Sequence, residues 1–232
     1  MTCELLVMLP GMMCDHRLFA PQIAVLEKSR DVVVPPLHGA DSVAGLARMI
    51  LDDAPERFAL AGLSMGGIVA MEIMRQDRNR VTRLALMDTN PFAEAPDRRA
   101  IRDGQISKVK SGGLRDVMRD DMKPHYLADT PNRAAILDVC MSMALDLGDE
   151  VFVQQSRALA GRPDQSATLA EVTVPVLILH GAEDMLCPAE MHRAMHDLIP
   201  GAELVTINRA GHLPCLENPV ETTAALQRWL EA

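Results

Sequence analysis

The stretch Phe58-Ala59-Leu60-Ala61-Gly62-Leu63-Ser64-Met65-Gly66-Gly67 decides the fold class of this 232-residue chain. Its first four residues are apolar, as expected of a strand that is buried on both faces. Gly62 to Gly66 then fit the pattern G-x-S-x-G, in which a serine occupies a sharp turn between a strand and a helix. Small residues are needed two positions before and after Ser64, because side chains there would clash with the strained turn. The stretch therefore predicts a serine hydroxyl presented at the end of a buried strand.

Short apolar runs alternate with helical patterns along most of the chain. Six runs predict strands: Leu5–Leu9, Val32–Val34, Phe58–Ala61, Leu84–Met87, Val176–Leu179 and Leu204–Ile207. Apolar residues at three- and four-residue spacing predict four helices: Ser42–Asp53, Gly66–Gln76, Pro188–Leu198 and Pro219–Leu230, with both prolines in the first helical turn. This order is typical of βαβ units, which build a mostly parallel sheet with helices on both faces. The predicted fold class is α/β.

One long segment interrupts the alternation. From residue 92 to residue 172 the sequence is mostly helical and rich in charge, with glycines and prolines as breaks. A structureless loop of that length would be implausible in a compact domain. We therefore predict an α/β core formed by residues 1–91 and 173–232, with a helical cap formed by residues 92–172. The cap is expected over the carboxyl edge of the sheet, where open α/β sheets bind ligands.

Composition argues against several classes of protein. A chain of 232 residues that is 48% hydrophobic can form one domain with a sizeable core. The net charge of −9 disfavours binding to nucleic acid, which rewards a basic surface. Apolar runs fall short of the roughly 20 residues that a membrane span needs, and Glu4 occupies a region where a signal peptide is basic. We expect a cytoplasmic monomer or homodimer without nucleic-acid or membrane partners.

The five cysteines suggest neither a metal site nor a disulfide framework. They are odd in number, lie far apart and show no CxxC spacing, so we expect free, mostly buried thiols and neither a metal nor a cofactor. Three of them, Cys14, Cys187 and Cys215, fall near the predicted rim of the site. A catalytic cysteine is therefore an alternative to Ser64, although no arrangement that would activate a thiol is legible.

Ser64 needs a base and an acid, because an unactivated serine is a poor nucleophile. Asp184 follows the strand Val176–Leu179, and His212 follows the last strand, so both are expected at the same sheet edge as Ser64. Their order along the chain, Ser, Asp and His, is the one expected after a G-x-S-x-G turn. Asp88, which follows another strand, is the alternative acid, and Glu183 is a weaker third.

The G-x-S-x-G turn, the loop Gly181–Asp184 and the segment Gly211–Pro219 resemble the α/β-hydrolase superfamily, in particular its serine esterases and enol-lactonases. The resemblance spans nearly the whole chain. It implies an oxyanion hole formed by the backbone N–H groups of Met12 and Met65. Relatives carry His-Gly-x after the first strand, whereas this chain has Pro10-Gly11-Met12, which keeps the donor and leaves the anchoring of the loop open.

By this resemblance the chain is a serine hydrolase that cleaves a carboxylic ester, lactone or thioester of a small to medium apolar acyl group through an acyl-enzyme. Three alternatives stay open: a C–C bond hydrolase of ring-fission products, an acyltransferase, and a ligand receptor with a vestigial triad. The first is less favoured because His212 is not followed by the tryptophan that is common in such relatives.

Methionines supply the candidate pocket. A flexible apolar pocket is predicted from Met13, Met118, Met122, Met141 and Leu213, because methionine adapts to varied acyl groups. Ordinary packing between helices is the alternative for these side chains.

A basic segment stands out in this acidic chain. Between residues 98 and 123 there are four acids and eight basic residues: Arg98, Arg99, Arg102, Lys108, Lys110, Arg115, Arg119 and Lys123. The excess of positive charge predicts attraction of an anionic substrate or of an acidic acyl carrier protein. A solvated helical face is the alternative.

Overall fold

A six-stranded parallel sheet forms the centre of the protein, in the order β2-β1-β3-β4-β5-β6. The computed structural model describes residues 4–122 and 125–232; Cys3, one of the five cysteines, and Lys123 of the basic segment lie outside this part. The strands are β1 (Leu6–Leu9), β2 (Val32–Val33), β3 (Phe58–Leu63), β4 (Val81–Met87), β5 (Val176–Gly181) and β6 (Glu203–Ile207). All six predicted strands are present, and the α/β fold class is confirmed.

Burial on both faces, predicted for the strand at Phe58–Ala61, is a property of the inner strands and not of the edges. Every residue of β1, β3 and β5 is buried, whereas β2 and β6 form the two edges. Val33 on β2 is 45% exposed, and most of β6 is exposed or half-buried. The apolar character of an edge strand therefore does not distinguish it from a central one.

Ten α-helices connect and cover the strands in the described residues. They are α1 (Ala20–Leu26), α2 (Val43–Asp53), α3 (Met65–Asp77), α4 (Pro96–Lys110), α5 (Leu114–Asp116), α6 (Arg133–Ala160), α7 (Ser166–Ala170), α8 (Ala189–Leu198), α9 (Pro214–Glu217) and α10 (Pro219–Glu231). The chain moves outward from β1 to β2 and then across to β3 and β4. Because parallel crossovers are right-handed, this change of direction places α1 on the face opposite to α2 and α3.

The helix ends differ slightly from prediction. Ser42 precedes α2 as its N-cap, and its hydroxyl accepts the Gly45 N–H at 3.1 Å. Pro219 lies in the first turn of α10 as predicted, whereas Pro188 precedes α8 as its N-cap. The short helix α1 was not predicted.

The described residues between β4 and β5 are helical. Helices α4 and α6 pack against each other, a π-helical stretch covers Val117–Met122, and α6 changes direction at Gly148, whose φ is +82°. The second half of α6 is anchored to the core, since the buried Gln155 bonds the backbone near β1. Because part of this region is anchored to the core, the division into core and cap remains a prediction.

Within the described residues, no helix is long and apolar enough to cross a membrane.

Candidate active site

Ser64 occupies the strained turn between β3 and α3. Its φ of +54° and ψ of −113° lie in a region that residues other than glycine rarely adopt. The conformation is held by two backbone contacts: the Ser64 N–H donates to Met87 O at 2.9 Å, and its carbonyl accepts the Thr89 hydroxyl at 2.8 Å. A Cβ on Gly66 would lie 2.0 Å from Leu9 O. Glycine at this position thus allows the turn to pack against β1.

His212 lies on the loop that follows β6. The carboxylate of Glu217 holds this loop by accepting the N–H groups of Gly211 at 2.9 Å and of Leu213 at 3.0 Å. The His212 N–H donates to Tyr126 O at 2.7 Å, which connects the loop to the helical region. The base is therefore positioned from both sides through its backbone.

The structure brings Ser64, His212 and Asp184 into one hydrogen-bonded chain. His212 Nε2 lies 2.9 Å from Ser64 Oγ, and His212 Nδ1 lies 2.9 Å from Asp184 Oδ2. The second oxygen of Asp184 accepts the N–H groups of Leu186 at 2.8 Å and of Cys187 at 3.1 Å. Burial by itself would raise the pKa of Asp184, but His212 and these N–H donors lower it below its ordinary value. The carboxylate next to the imidazole is thus ionised.

Asp88, the alternative acid, lies beside Asp184 in a different environment. It is fully buried, its Oδ1 accepts the Gly181 N–H at 2.9 Å, and Oδ2 has no hydrogen-bond partner in the part of the chain described. Burial raises the pKa of Asp88 well above its ordinary range, and the negative charge of Asp184 raises it further. Burial and the neighbouring charge of Asp184 therefore both favour the neutral form of Asp88. The structure pairs His212 with Asp184.

Met12 and Met65 both present backbone N–H groups near Ser64. In residues 4–122 and 125–232, neither N–H donates to a protein acceptor, and both residues line the cleft around Ser64. Free N–H groups on either side of a nucleophile are what an oxyanion hole requires. This arrangement supports the two predicted donors.

Gln155 holds the loop after β1, in which Pro10 replaces the histidine of the relatives. Its Oε1 accepts the Met13 N–H at 2.8 Å, while its Nε2 donates to Leu37 O at 2.8 Å. Met13 has a φ of +55°, an uncommon conformation that needs such support. Gln155 was not predicted as a site residue, because nothing in the sequence connects it to a loop 142 residues earlier.

Comparison with known proteins agrees with this geometry. Residues 6–226 match the profile of the Alpha/beta hydrolase family. The chain belongs to this family. The protein is thus a hydrolase.

Similar proteins include named esterases. The chain is 26% identical over 216 residues to the pimeloyl-[acyl-carrier protein] methyl ester esterase of Aromatoleum aromaticum, covering 83% of each chain. A thermophilic esterase from Thermogutta terrifontis, solved with malate bound, has a TM-score of 0.91 and 27% identity over 99% of this chain and 90% of that one. The enol-lactonase from Burkholderia xenovorans LB400 shares the fold, with a TM-score of 0.88 and 21% identity over 100% and 93% of the two chains.

A cleft of about 790 Å³ lies in front of Ser64 in this hydrolase. Of the five predicted pocket residues, Met122 and Leu213 line it. Met13, Met118 and Met141 do not, so the pocket prediction does not hold for these three. Met13 and Met118 are buried in the core, and Met141 packs against it. Methionine content indicates a flexible apolar side chain but not the direction in which it points.

The three cysteines considered as alternatives to Ser64 lack the surroundings that activate a thiol. Burial raises the pKa of Cys14, Cys187 and Cys215, which keeps all three as thiols. Cys187 does lie close to the triad: its sulfur, a carboxylate oxygen of Asp184 and a ring nitrogen of His212 are within 4.8 Å of one another. Because the Asp184 and His212 atoms are already hydrogen-bonded at 2.9 Å, we assign this group to the triad.

The basic segment of the hydrolase divides into two groups. Some of its charges are paired: Lys108 with Asp121 at 3.1 Å, Arg119 with Asp116 at 3.0 Å, and Arg102 with Glu94 at 3.3 Å. Four are exposed without a carboxylate in ion-pair distance among the described residues: Arg98, Arg99, Lys110 and Arg115. The predicted positive surface is thus smaller than the sequence implies.

Proposed function

We propose that this hydrolase cleaves a carboxylic ester of a small to medium acyl group through an acyl-enzyme on Ser64. One observation carries the proposal: His212 lies 2.9 Å from both Ser64 Oγ and Asp184 Oδ2, with each ring nitrogen serving one partner. This is the geometry of a nucleophile, a general base and the acid that orients the base. The free N–H groups of Met12 and Met65 complete the machinery.

The reaction follows from these contacts. Ser64 Oγ attacks the ester carbon while its proton passes to His212 Nε2, and Asp184 stabilises the imidazolium that forms. The N–H groups of Met12 and Met65 hold the tetrahedral oxyanion. His212 then gives the proton to the departing alcohol. Water, activated by the same histidine, attacks the acyl-enzyme and releases the acid.

The cleft favours an acyl chain over a purely polar substrate. Apolar side chains on its wall include Leu63, Ile68, Met122, Leu186 and Leu213. Relatives named as esterases favour an ester, while a lactone or a thioester would use the same steps. The triad does not distinguish these leaving groups, so only a substrate panel does.

The test compares wild type with Ser64→Ala on p-nitrophenyl esters of several chain lengths, thioesters, lactones and ring-fission diketones. We expect ester hydrolysis by wild type, a loss of at least about a thousandfold in Ser64→Ala, and no loss in the exposed control Ser111→Ala. Fluorophosphonate should label wild type stoichiometrically and Ser64→Ala not at all. A wild type that does not label would support a receptor, and faster turnover of diketones than of esters would support C–C hydrolysis.

Two observations favour a carrier-bound ester as a second candidate substrate. Several relatives are named for an ester on an acyl carrier protein, and Arg98, Arg99, Lys110 and Arg115 are exposed and unpaired on the described helices. An acidic carrier would be attracted to this surface. The proposal predicts a carrier-bound methyl ester with a higher kcat/KM than the free ester, and an advantage that falls as salt rises. Equal values at low salt would contradict it.

A further inference from the structure

A buried ion cluster lies on the wall of the cleft that also contains Ser64. Glu94, whose side chain is 2% exposed, contacts two guanidinium groups: Arg102 Nε at 3.3 Å and Arg162 Nη1 at 3.0 Å from Glu94 Oε2. Arg162 also donates from Nε to Phe92 O at 2.9 Å. All three charged residues line the same cleft as Ser64. The wall is thus built around one carboxylate shared by two arginines.

The cluster carries one uncompensated positive charge. Burial lowers the pKa of both Arg102 and Arg162, yet an arginine stays protonated in proteins. The other acids on the cleft wall contact cations outside the cluster: Asp121 contacts Lys108, and Asp120 contacts Arg119, which it shares with Asp116. Arg98, also on the wall, adds a further cation with no ion pair among the described residues. A net charge held away from water is unfavourable unless an opposite charge joins it.

Arg102 also presents a donor with no strong acceptor. Its Nη1 lies 3.7 Å from the sulfur of Met12, and a thioether is a weak acceptor. Met12 is also the residue whose N–H we propose as an oxyanion donor. Because Arg102 and Ser64 line the same cleft, one substrate molecule can contact both.

We propose that Arg102 and Arg162 bind a carboxylate of the substrate, so that the preferred substrate is an ester that also carries a free carboxylate. This inference rests on the proposed function. A single carboxylate matches the excess of one positive charge, and its two oxygens suit the paired donors of a guanidinium. The apolar wall then takes the chain between the ester and the carboxylate. The carboxylate is on the acyl side in a dicarboxylic monoester or on the leaving-group side in an acylated hydroxy acid.

A purely structural role for the cluster makes a different prediction. Glu94 connects Arg102 on α4 with Arg162, which follows α6, so the three side chains also join two parts of the helical region. If that were their whole role, substitution would change stability and would affect charged and neutral esters alike. The ratio of activity on charged esters to activity on neutral esters distinguishes carboxylate binding from a structural role, because a general loss of folded enzyme cancels in the ratio.

The experiment measures kcat/KM for monomethyl and dimethyl esters of dicarboxylic acids with five to eight carbons, and for 4-acetoxybutanoate and its methyl ester. Arg102→Met should lower the ratio of charged to neutral ester by roughly 10- to 100-fold, mainly through KM, because a charge-assisted hydrogen bond is lost. Glu94→Gln, which removes the competing carboxylate, should raise the ratio. Arg48→Met, an exposed arginine on α2, should leave both activities unchanged. Whichever pair of esters shows the effect identifies the side that carries the carboxylate.

Binding gives a second measurement if a variant turns over poorly. Glutarate or adipate should raise the Tm of wild type and raise that of Arg102→Met much less, because a ligand that binds only the folded state stabilises it. An unchanged ester ratio in Arg102→Met, or equal Tm shifts, would overturn the inference while the hydrolysis of neutral esters still supported the proposed function. Absence of ester hydrolysis and of fluorophosphonate labelling would overturn both.

Discussion

The sheet edge and the helical wall build the two sides of the cleft by different means. At the sheet edge, hydrogen bonds made by the backbone of the site residues fix the geometry. Ser64 is bonded to Met87 O and to the Thr89 hydroxyl, and the N–H groups of the His212 loop are bonded to the Glu217 carboxylate. On the wall, side-chain ion pairs such as those of Glu94 position the charged groups. The difference indicates that substitutions at the edge reduce turnover of every substrate. Substitutions on the wall change which substrate is preferred.

The largest expected effect separates the two neighbouring carboxyl groups of the sheet edge. Asp184→Asn should lower kcat by about 10³–10⁴, because it removes the charge that orients His212 and stabilises the imidazolium. Asp88→Asn should cost less than about tenfold, since burial favours the neutral form of Asp88 and an amide has the same acceptor and donor as a neutral carboxyl group. Steady-state kinetics on one ester provide the measurement. A greater loss from Asp88→Asn would reverse the assignment of the acid.

The next effect concerns the carboxylate that holds the His212 loop. Glu217→Gln should lower kcat by roughly 10-fold and the free energy of unfolding by about 2 kcal/mol, because an amide nitrogen would face a backbone N–H. KM should change little, since Glu217 is not on the cleft wall. Glu221→Gln, an exposed acid on α10, is the matched control. A change confined to KM would show that the loop acts on substrate binding instead.

A smaller effect is expected where the helical region supports the sheet edge. Gln155→Leu removes the acceptor of the Met13 N–H and should reduce kcat by about tenfold, because the adjacent Met12 donor loses its fixed position. Gln154→Leu, at the half-buried neighbouring position on α6, removes an acceptor of the Gly39 N–H instead of the Met13 N–H and should leave kcat near the wild-type value. Equal losses in both variants would point to general damage to the helix.

The last effect concerns stability against pH and leaves turnover at neutral pH unchanged. His192 is fully buried, its Nε2 accepts the Thr89 N–H at 3.2 Å, and its ring stacks on His180. Burial, aided by His180, lowers the pKa of His192 to about 4, below its unfolded value of about 6.5. The unfolded chain therefore binds the proton first as pH falls, so the stabilisation is complete above about pH 6.5 and is lost toward pH 4.

The corresponding measurement is the free energy of unfolding at pH 7 and pH 4.5. Wild type should lose about 2–3 kcal/mol more than His192→Gln, which keeps an acceptor for Thr89 but does not titrate. Parallel pH profiles for the two proteins would contradict a neutral, buried His192.

The sequence predicts the sheet edge far better than the wall. The turn at Ser64 needs glycines at fixed positions, and the loops of Asp184 and His212 follow apolar strands, so each leaves a local pattern in the chain. Gln155 and Glu94 leave none, because their partners depend on how distant helices pack. The choice between Asp184 and Asp88 also required three-dimensional structure, since both follow strands and only burial and hydrogen bonding distinguish them.

The bond from the His212 N–H to Tyr126 O has a consequence for recombining this enzyme with its relatives. Ala128 likewise donates its N–H to Glu217 at 2.8 Å, so two residues of the helical region complete the loop that carries the base. A chimera that exchanges this region must supply a carbonyl and an amide at the same two points. One that does not should show faster hydrogen exchange at Gly211, His212 and Leu213, with its sheet intact and its turnover reduced.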